Sequence, residues 1–310
     1  MAFVLFVWME EIGVTAIALV TVGLLLHSAR KSVTTAPSQS WAGRLAAAIA
    51  SAGVVLYWLS RWWSDYADPR VERFAIPMAA AIVAVVAYIA FSARRPAGRQ
   101  LREVDLTPRS LWSFGSSSWF TLWAVLTGLL AMTVVLAGLA SSTDDSGRHI
   151  MILIQIGGSQ AGTIFFGWSF GLPVLVTLVA LNGVVMIALW RIARPAVPAD
   201  PVLRDNDRAA RRNQSRTVLS ITSGAMAFTL GASWLFIGRS AQLAASLPGP
   251  DGIRIELGTS FAALAMPLTA LGLLLEGAGV ALVLFPLCQR AGRLSTKQPA
   301  HESAEARAGR

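Results

Sequence analysis

The stretch GTSFAALAMPLTALGLLLEGAGVALVLFPL, residues 258–287, is long and apolar and carries a single carboxylate, Glu276, well inside it. A helix needs about 20 apolar residues to cross roughly 30 Å of hydrocarbon. A carboxylate at such a depth costs about 2.5–3.5 kcal/mol on insertion scales, so it usually faces the interior of a helix bundle. The stretch therefore predicts a transmembrane helix with one polar position that needs an explanation.

A second stretch repeats this pattern earlier in the chain, at residues 162–189, GTIFFGWSFGLPVLVTLVALNGVVMIAL. Both stretches open with Gly-Thr-x-Phe, continue to a proline, and then reach a polar residue followed by glycine. The prolines are Pro173 and Pro267, and the polar residues are Asn182 and Glu276. The two prolines are candidate helix kinks that open a cavity, with tolerated breaks as the alternative, and we expect Asn182 and Glu276 to lie at a similar depth.

The composition of the whole chain extends this prediction. Of its 310 residues 55% are hydrophobic and only 14% are charged, and the mean hydropathy is +0.58. An ordinary soluble domain is far more polar. The sequence therefore predicts an all-α integral membrane protein with about seven transmembrane helices, at residues 3–27, 43–60, 75–93, 118–140, 163–190, 218–237 and 259–287.

The charges predict how these helices are oriented. Most of the 26 basic residues fall in the segments that are cytoplasmic if the N-terminus is outside. Lys and Arg are enriched in cytoplasmic loops, so we expect the N-terminus outside and the C-terminus in the cytoplasm. The net charge of +9 then belongs to a basic inner face suited to anionic lipids. No nucleic-acid partner is expected, because the arginines lie beside helix ends and form no nucleic-acid-binding motif.

The first predicted span contains two acidic residues, Glu10 and Glu11. Basic residues follow the apolar run instead of preceding it, which is typical of a reversed signal anchor and not of a cleaved signal peptide. We expect Glu10 and Glu11 to be outer-leaflet carboxylates at the membrane edge. The alternative is a functional pair within the outer leaflet.

Two segments of the predicted outer loops have the character of β-strands. Residues 149–156 are rich in isoleucine and end at Gly157-Gly158, and residues 253–257 alternate apolar and charged side chains. Both are too short to span a membrane. We expect short strands there, which could pair with each other as a small outer cap.

The domain organisation follows from these elements. We predict a single membrane domain over residues 1–290, with a possible helix-hairpin repeat that relates 118–190 to 218–287. The tail 291–310 and the inner loop 191–217 are polar and rich in arginine, so we expect both to be solvated and mobile.

Several kinds of chemistry are disfavoured by what the sequence contains. The single cysteine, Cys288, can form no disulfide within the chain. The three histidines and two lysines leave neither a plausible haem or zinc site in the bilayer nor a Schiff base within a helix. No nucleophile with a matching base is visible. We expect no enzyme activity, cofactor or metal.

Two functions remain open. The first is a transporter or permease-like subunit, in which Glu276 and Asn182 form a site that titrates a proton or coordinates a cation. The second is a scaffold or accessory membrane protein, in which Glu276 and Asn182 only hold helices together, and loops bind lipids or a membrane-protein partner. The scarcity of lysine beside arginine suggests a GC-rich bacterium, and we expect a multi-pass protein of its plasma membrane.

Overall fold

The structure is a computed structural model and is mostly helical. It describes residues 41–62, 70–92, 116–156, 159–194, 201–242, 244–248 and 254–288, and five positions near the N-terminus, residues 13, 16, 17, 20 and 21, which are helical. Glu10, Glu11, most of the predicted first span and the tail 291–310 lie outside the described residues.

Six helices of the described part are long and apolar enough to cross a membrane, which confirms the prediction of a mostly helical chain with several helices of spanning length. They are α1 (Trp41–Trp62), α2 (Ile76–Ser92), α3 (Ser117–Leu139), α4 (Trp168–Ala193), α5 (Pro201–Ala241) and α6 (Ala265–Cys288). Short 3-10 turns at Val71–Ala75 and Ala262–Leu264 lead into α2 and α6.

Helix α5 is the centre of the bundle. It contacts each of the other five long helices, and almost all of its residues from 215 to 241 are buried. Residues 217–238 contain no charged residue and many Ser, Thr, Gly and Ala. Small side chains let helix backbones approach closely within a membrane, so this composition suits a helix surrounded on all sides.

The expected inner loop 191–217 is wrong for residues 201–217, which form the first part of α5. Pro201 stands at the first helical position, where its missing N–H costs little and its fixed φ favours the helix. Asp207 and Arg211 then form an ion pair one turn apart, with 2.7 Å between Oδ2 and Nε. A local ion pair therefore supports the helical turns that precede the apolar stretch.

Arg211 also joins α5 to the end of α4. Its side chain is only 5% exposed, and its Nη1 donates to the carbonyl oxygens of Ile192 at 3.0 Å and Ala193 at 3.3 Å. Both carbonyls belong to the last turn of α4, where the carbonyl oxygens have no N–H donor within the helix. A guanidinium there also complements the negative end of the helix dipole.

Helices α5 and α6 pack against each other along glycines spaced by seven residues. Gly224, Gly231 and Gly238 lie on α5, and Gly272 and Gly279 lie on α6. A Cβ added to Gly224 would lie 2.8 Å from the Gly279 oxygen, and one added to Gly272 would lie 2.9 Å from the Gly231 oxygen. This surface, the glycine seam, brings the two backbones into direct contact.

An aromatic cluster fills the core near the start of α2. The ring of Phe74 lies 5.0 Å from Phe166, 5.7 Å from Phe170 and 5.6 Å from Phe236, centroid to centroid. The guanidinium of Arg73 lies over the rings of Phe74 and Phe236, at 4.9 and 5.1 Å. Edge-to-face rings and a cation over them join α2, α4 and α5 at this end of the bundle.

Two small antiparallel sheets connect the helices. The strands are β1 (Ser142–Thr143), β2 (His149–Ile156), β3 (Ser159–Ile164), β4 (Ala244–Pro248) and β5 (Arg254–Gly258). Strand β2 lies between β1 and β3, and β4 pairs with β5. Strands therefore form at both predicted segments, but the expectation that these two segments pair with each other is wrong. Each pairs with its sequence neighbour, because a short connection costs less entropy to close.

Asp144 organises the turn before β2. Its carboxylate accepts hydrogen bonds from the backbone N–H groups of Ser146 at 2.9 Å and Arg148 at 2.7 Å, and from Arg148 Nε at 3.0 Å. Burial raises the pKa of this carboxyl, but the hydrogen bonds and the charge of Arg148 outweigh it, so the pKa lies below its ordinary value. Asp144 is therefore ionised in this turn at neutral pH.

Candidate polar site in the helix bundle

Glu276 lies in the glycine seam between α5 and α6. The residue is 1% exposed. A Cβ added to Gly231 would lie 2.5 Å from the Glu276 nitrogen and 3.0 Å from its Cγ, so the stem of the side chain rests directly on the α5 backbone. The prediction that this carboxyl group faces the bundle interior agrees with the position of the side chain.

The basic group that acts on Glu276 is Arg239, near the end of α5. Arg239 is half-buried, and its charge interacts electrostatically with the Glu276 carboxylate. Helical side chains lean toward the helix N-terminus. Because α5 and α6 are antiparallel, that lean carries Arg239 and Glu276 toward each other. A buried ion pair gains little net stability, but removing one partner leaves an uncompensated charge and is strongly destabilising.

Sequence reasoning missed this partnership. Arg239 is the first charged residue after the uncharged segment 217–238, and it lies just outside the predicted span 218–237. The available signal was its place directly at the end of that segment, where a long basic side chain can reach back along the helix.

Asn182 occupies a different interface. It is half-buried on α4, its Nδ2 donates to the Leu178 oxygen of the same helix at 2.9 Å, and its Oδ1 lies 3.4 Å from Thr127 Oγ1 on α3. The single hydroxyl proton of Thr127 has a nearer acceptor, the Trp123 oxygen at 2.9 Å, so the contact to Asn182 is weak.

The expected pair of Glu276 and Asn182 is therefore not assembled. In the part of the chain that the structure describes, α4 and α6 share no packed interface, and each residue contacts a different helix. Each half nevertheless folds as helix, antiparallel sheet, helix, with three strands in the first half and two in the second. The phenylalanines of the two Gly-Thr-x-Phe motifs, Phe165 and Phe261, touch at 5.7 Å between centroids.

The two prolines occupy different positions in their helices. Pro173 lies inside α4, but Pro267 is the third residue of α6, in the first turn, where no intrahelical hydrogen bond is lost. The proline that does interrupt α6 is Pro286 near its end. Its missing N–H leaves the Leu282 oxygen without the usual donor, and the hydroxyl of Ser220 on α5 donates to that oxygen at 2.6 Å.

The described residues contain no group of three or more His, Cys, Asp or Glu side chains that could hold a metal ion. Glu276 and Arg239 offer an electrostatic interaction between a carboxylate and a guanidinium, and a carboxylate binds a proton or a cation where water reaches it.

The chain matches no protein-family model, no curated protein and no solved structure.

Proposed function

We propose that this protein is an accessory or scaffold protein of a membrane, which binds a partner and does not itself move a solute. The observation that supports the proposal is the enclosure of Glu276, which is 1% exposed and packed against the backbone at Gly231. A transport site must be reached by water from at least one side. The glycine seam leaves little room for such a path, because any side chain at Gly231 would collide with Glu276.

We also propose how the chain lies in the membrane. It has seven helices, with the N-terminus outside and the arginine-rich segments in the cytoplasm, in the plasma membrane of a bacterium. The charge distribution supports this orientation. The predicted first span accounts for the seventh helix.

The surface that would bind a partner protein is formed by the two sheets. Both β4 and β5 are edge strands among the strands that the structure describes, and β3 has β2 on one side only. An exposed strand edge is a template for pairing with another chain. In the proposed orientation both sheets lie outside the membrane, where a partner can reach them.

Proton- or cation-coupled transport is the second candidate, and the electrostatic interaction between Glu276 and Arg239 favours it. Two opposite charges inside a helix bundle are costly to desolvate, and intramembrane ionisable residues are typical of ion pathways. In this reading the structure corresponds to an occluded state, and breaking the charge pair opens a path along α5.

The test compares the unmodified protein with Glu276→Gln in reconstituted bilayers between pH 5 and 9. If Glu276 is sealed, the two melting temperatures vary with pH in parallel, and a cysteine placed at 276 in a Cys288→Ser background does not react with a water-soluble maleimide. A pH-dependent melting temperature that is lost in Glu276→Gln, together with labelling at 276, would overturn the accessory role and support transport.

A further inference from the structure

A basic site unrelated to Glu276 lies at the other end of the uncharged part of α5. Arg216 directly precedes the uncharged segment 217–238, so it marks one boundary of the apolar layer. Its guanidinium lies 4.6 Å from the ring centroid of Phe285 on α6 and 5.8 Å from that of Trp119 on α3. Trp119 is in the first turn of α3 and Phe285 in the last turn of α6, so three helices hold this group at the edge of the bundle.

Arg216 differs from its neighbour Arg211 in how its donors are used. Arg211 donates to Asp207 and to the last carbonyls of α4. The Nε of Arg216 is buried and has no acceptor among the residues that the structure describes. A guanidinium has five N–H donors and is always charged, so a half-buried one without an acceptor is costly unless a ligand supplies it.

The two rings lie within cation–π range of the guanidinium and take up none of its N–H donors. Donors on its terminal nitrogens are therefore not used by the rings and suit an anion. The exposed side chain of Arg212, one turn earlier on the same face of α5, adds a second positive charge. Aromatic side chains beside basic ones are typical of the level of lipid headgroups.

From this geometry we infer that Arg216, between Trp119 and Phe285, binds the phosphate group of an anionic phospholipid. The phosphate accepts from the guanidinium edge, and the lipid tails lie along the apolar surfaces of α3 and α6. Basic pockets between transmembrane helices bind such headgroups by charge-assisted hydrogen bonds.

This site requires that the chain lies in a bilayer, but it requires neither the accessory role nor transport. A result for or against it therefore leaves the test at Glu276 unaffected. The phosphate could also come from solution, so the experiment must separate a lipid from a free anion.

The test measures the melting temperature of the purified full chain in neutral detergent against added phosphatidylglycerol, phosphatidylcholine or sodium phosphate. We expect phosphatidylglycerol to raise the melting temperature at lower mole fractions than phosphatidylcholine, and inorganic phosphate to have little effect. In Arg216→Gln, the mole fraction of phosphatidylglycerol that gives half of the maximal rise in melting temperature should increase roughly tenfold. Arg191→Gln, which removes the same charge from an exposed position at the end of α4, should change it by no more than about twofold.

Three outcomes overturn the inference: equal responses to the two lipids, an equal loss in the two variants, or an inorganic phosphate effect that matches phosphatidylglycerol. Should Arg216→Gln fail to fold, Arg216→Lys replaces it. Lysine keeps the charge but loses the planar fork, so we expect the response to weaken by roughly threefold, and an unchanged response would also contradict a site at Arg216.

Discussion

At the scale of single residues, two buried serines on α5 have opposite roles. Both are 0% exposed and lie one turn apart. Ser220 donates to the Leu282 oxygen that Pro286 leaves without an intrahelical donor. The hydroxyl oxygen of Ser223 is buried and has no hydrogen-bond partner among the described residues. An unsatisfied buried hydroxyl is unfavourable, whereas the hydroxyl of Ser220 repairs a defect in the neighbouring helix.

We therefore predict that Ser220→Ala destabilises the protein by about 1–3 kcal/mol, because it leaves a buried carbonyl without a donor. Ser223→Ala, the matched control, should be neutral or slightly stabilising. The measurement is the free energy of unfolding in mixed micelles. In a Pro286→Ala background the helix regains its own N–H donor, so Ser220→Ala should cost less there. Equal effects of the two serine substitutions would show that the bond to Leu282 contributes nothing.

At the scale of elements, the α5–α6 pair depends on backbone contact more than on side-chain size. Lipid tails are as apolar as leucine, so helices gain little from burying leucine against each other in a bilayer. Glycines at every seventh position place the contact on one face of each helix. The same surface positions Glu276, because the stem of that side chain lies against Gly231. The glycine seam and the polar site are therefore one structure.

The seam is tested by adding one methyl group. In Gly231→Ala the new Cβ would lie within 2.5–2.6 Å of the Glu276 nitrogen and the Gly272 oxygen, so the helices must separate, at a cost of about 1–3 kcal/mol. Gly183→Ala on α4 is the control, since nothing lies within 4 Å of its added Cβ. It should be stabilising by up to about 1 kcal/mol through helix propensity. Melting temperatures in one detergent compare the two, and a tolerated Gly231→Ala would contradict the close approach.

At the scale of the whole molecule, the sequence predicted which segments are long apolar helices, and six of the predicted spans correspond to helices. It could do so because apolar length is a local property. The partner of Glu276 was missed because an α5–α6 contact depends on the rotation of both helices. The role of Arg211 was missed for the same reason, since its acceptors at the end of α4 are local to a different helix. The pairing of the strands could not be predicted either, because it depends on which helix ends lie side by side in the bundle.

The orientation of the whole molecule remains a prediction from charge, and it has a direct test. Ser146, in the exposed turn before β2, and Arg208, on the exposed face of α5 before its uncharged segment, lie at opposite ends of the bundle. In a Cys288→Ser background, which has no other cysteine, Ser146→Cys should react with an impermeant maleimide in intact cells. Arg208→Cys should react only after the membrane is opened.

The two positions control for each other, because a protein that crosses the membrane must expose one of them on each side. Labelling of both in intact cells would indicate damaged cells or a chain that is not inserted. Labelling of Arg208→Cys alone would reverse the orientation and put the sheets in the cytoplasm. The lipid site at Arg216 would then face the outer leaflet, and the strand edges could bind only a cytoplasmic partner. The expected pattern instead keeps the arginine-rich half of α5 on the side where basic residues accumulate.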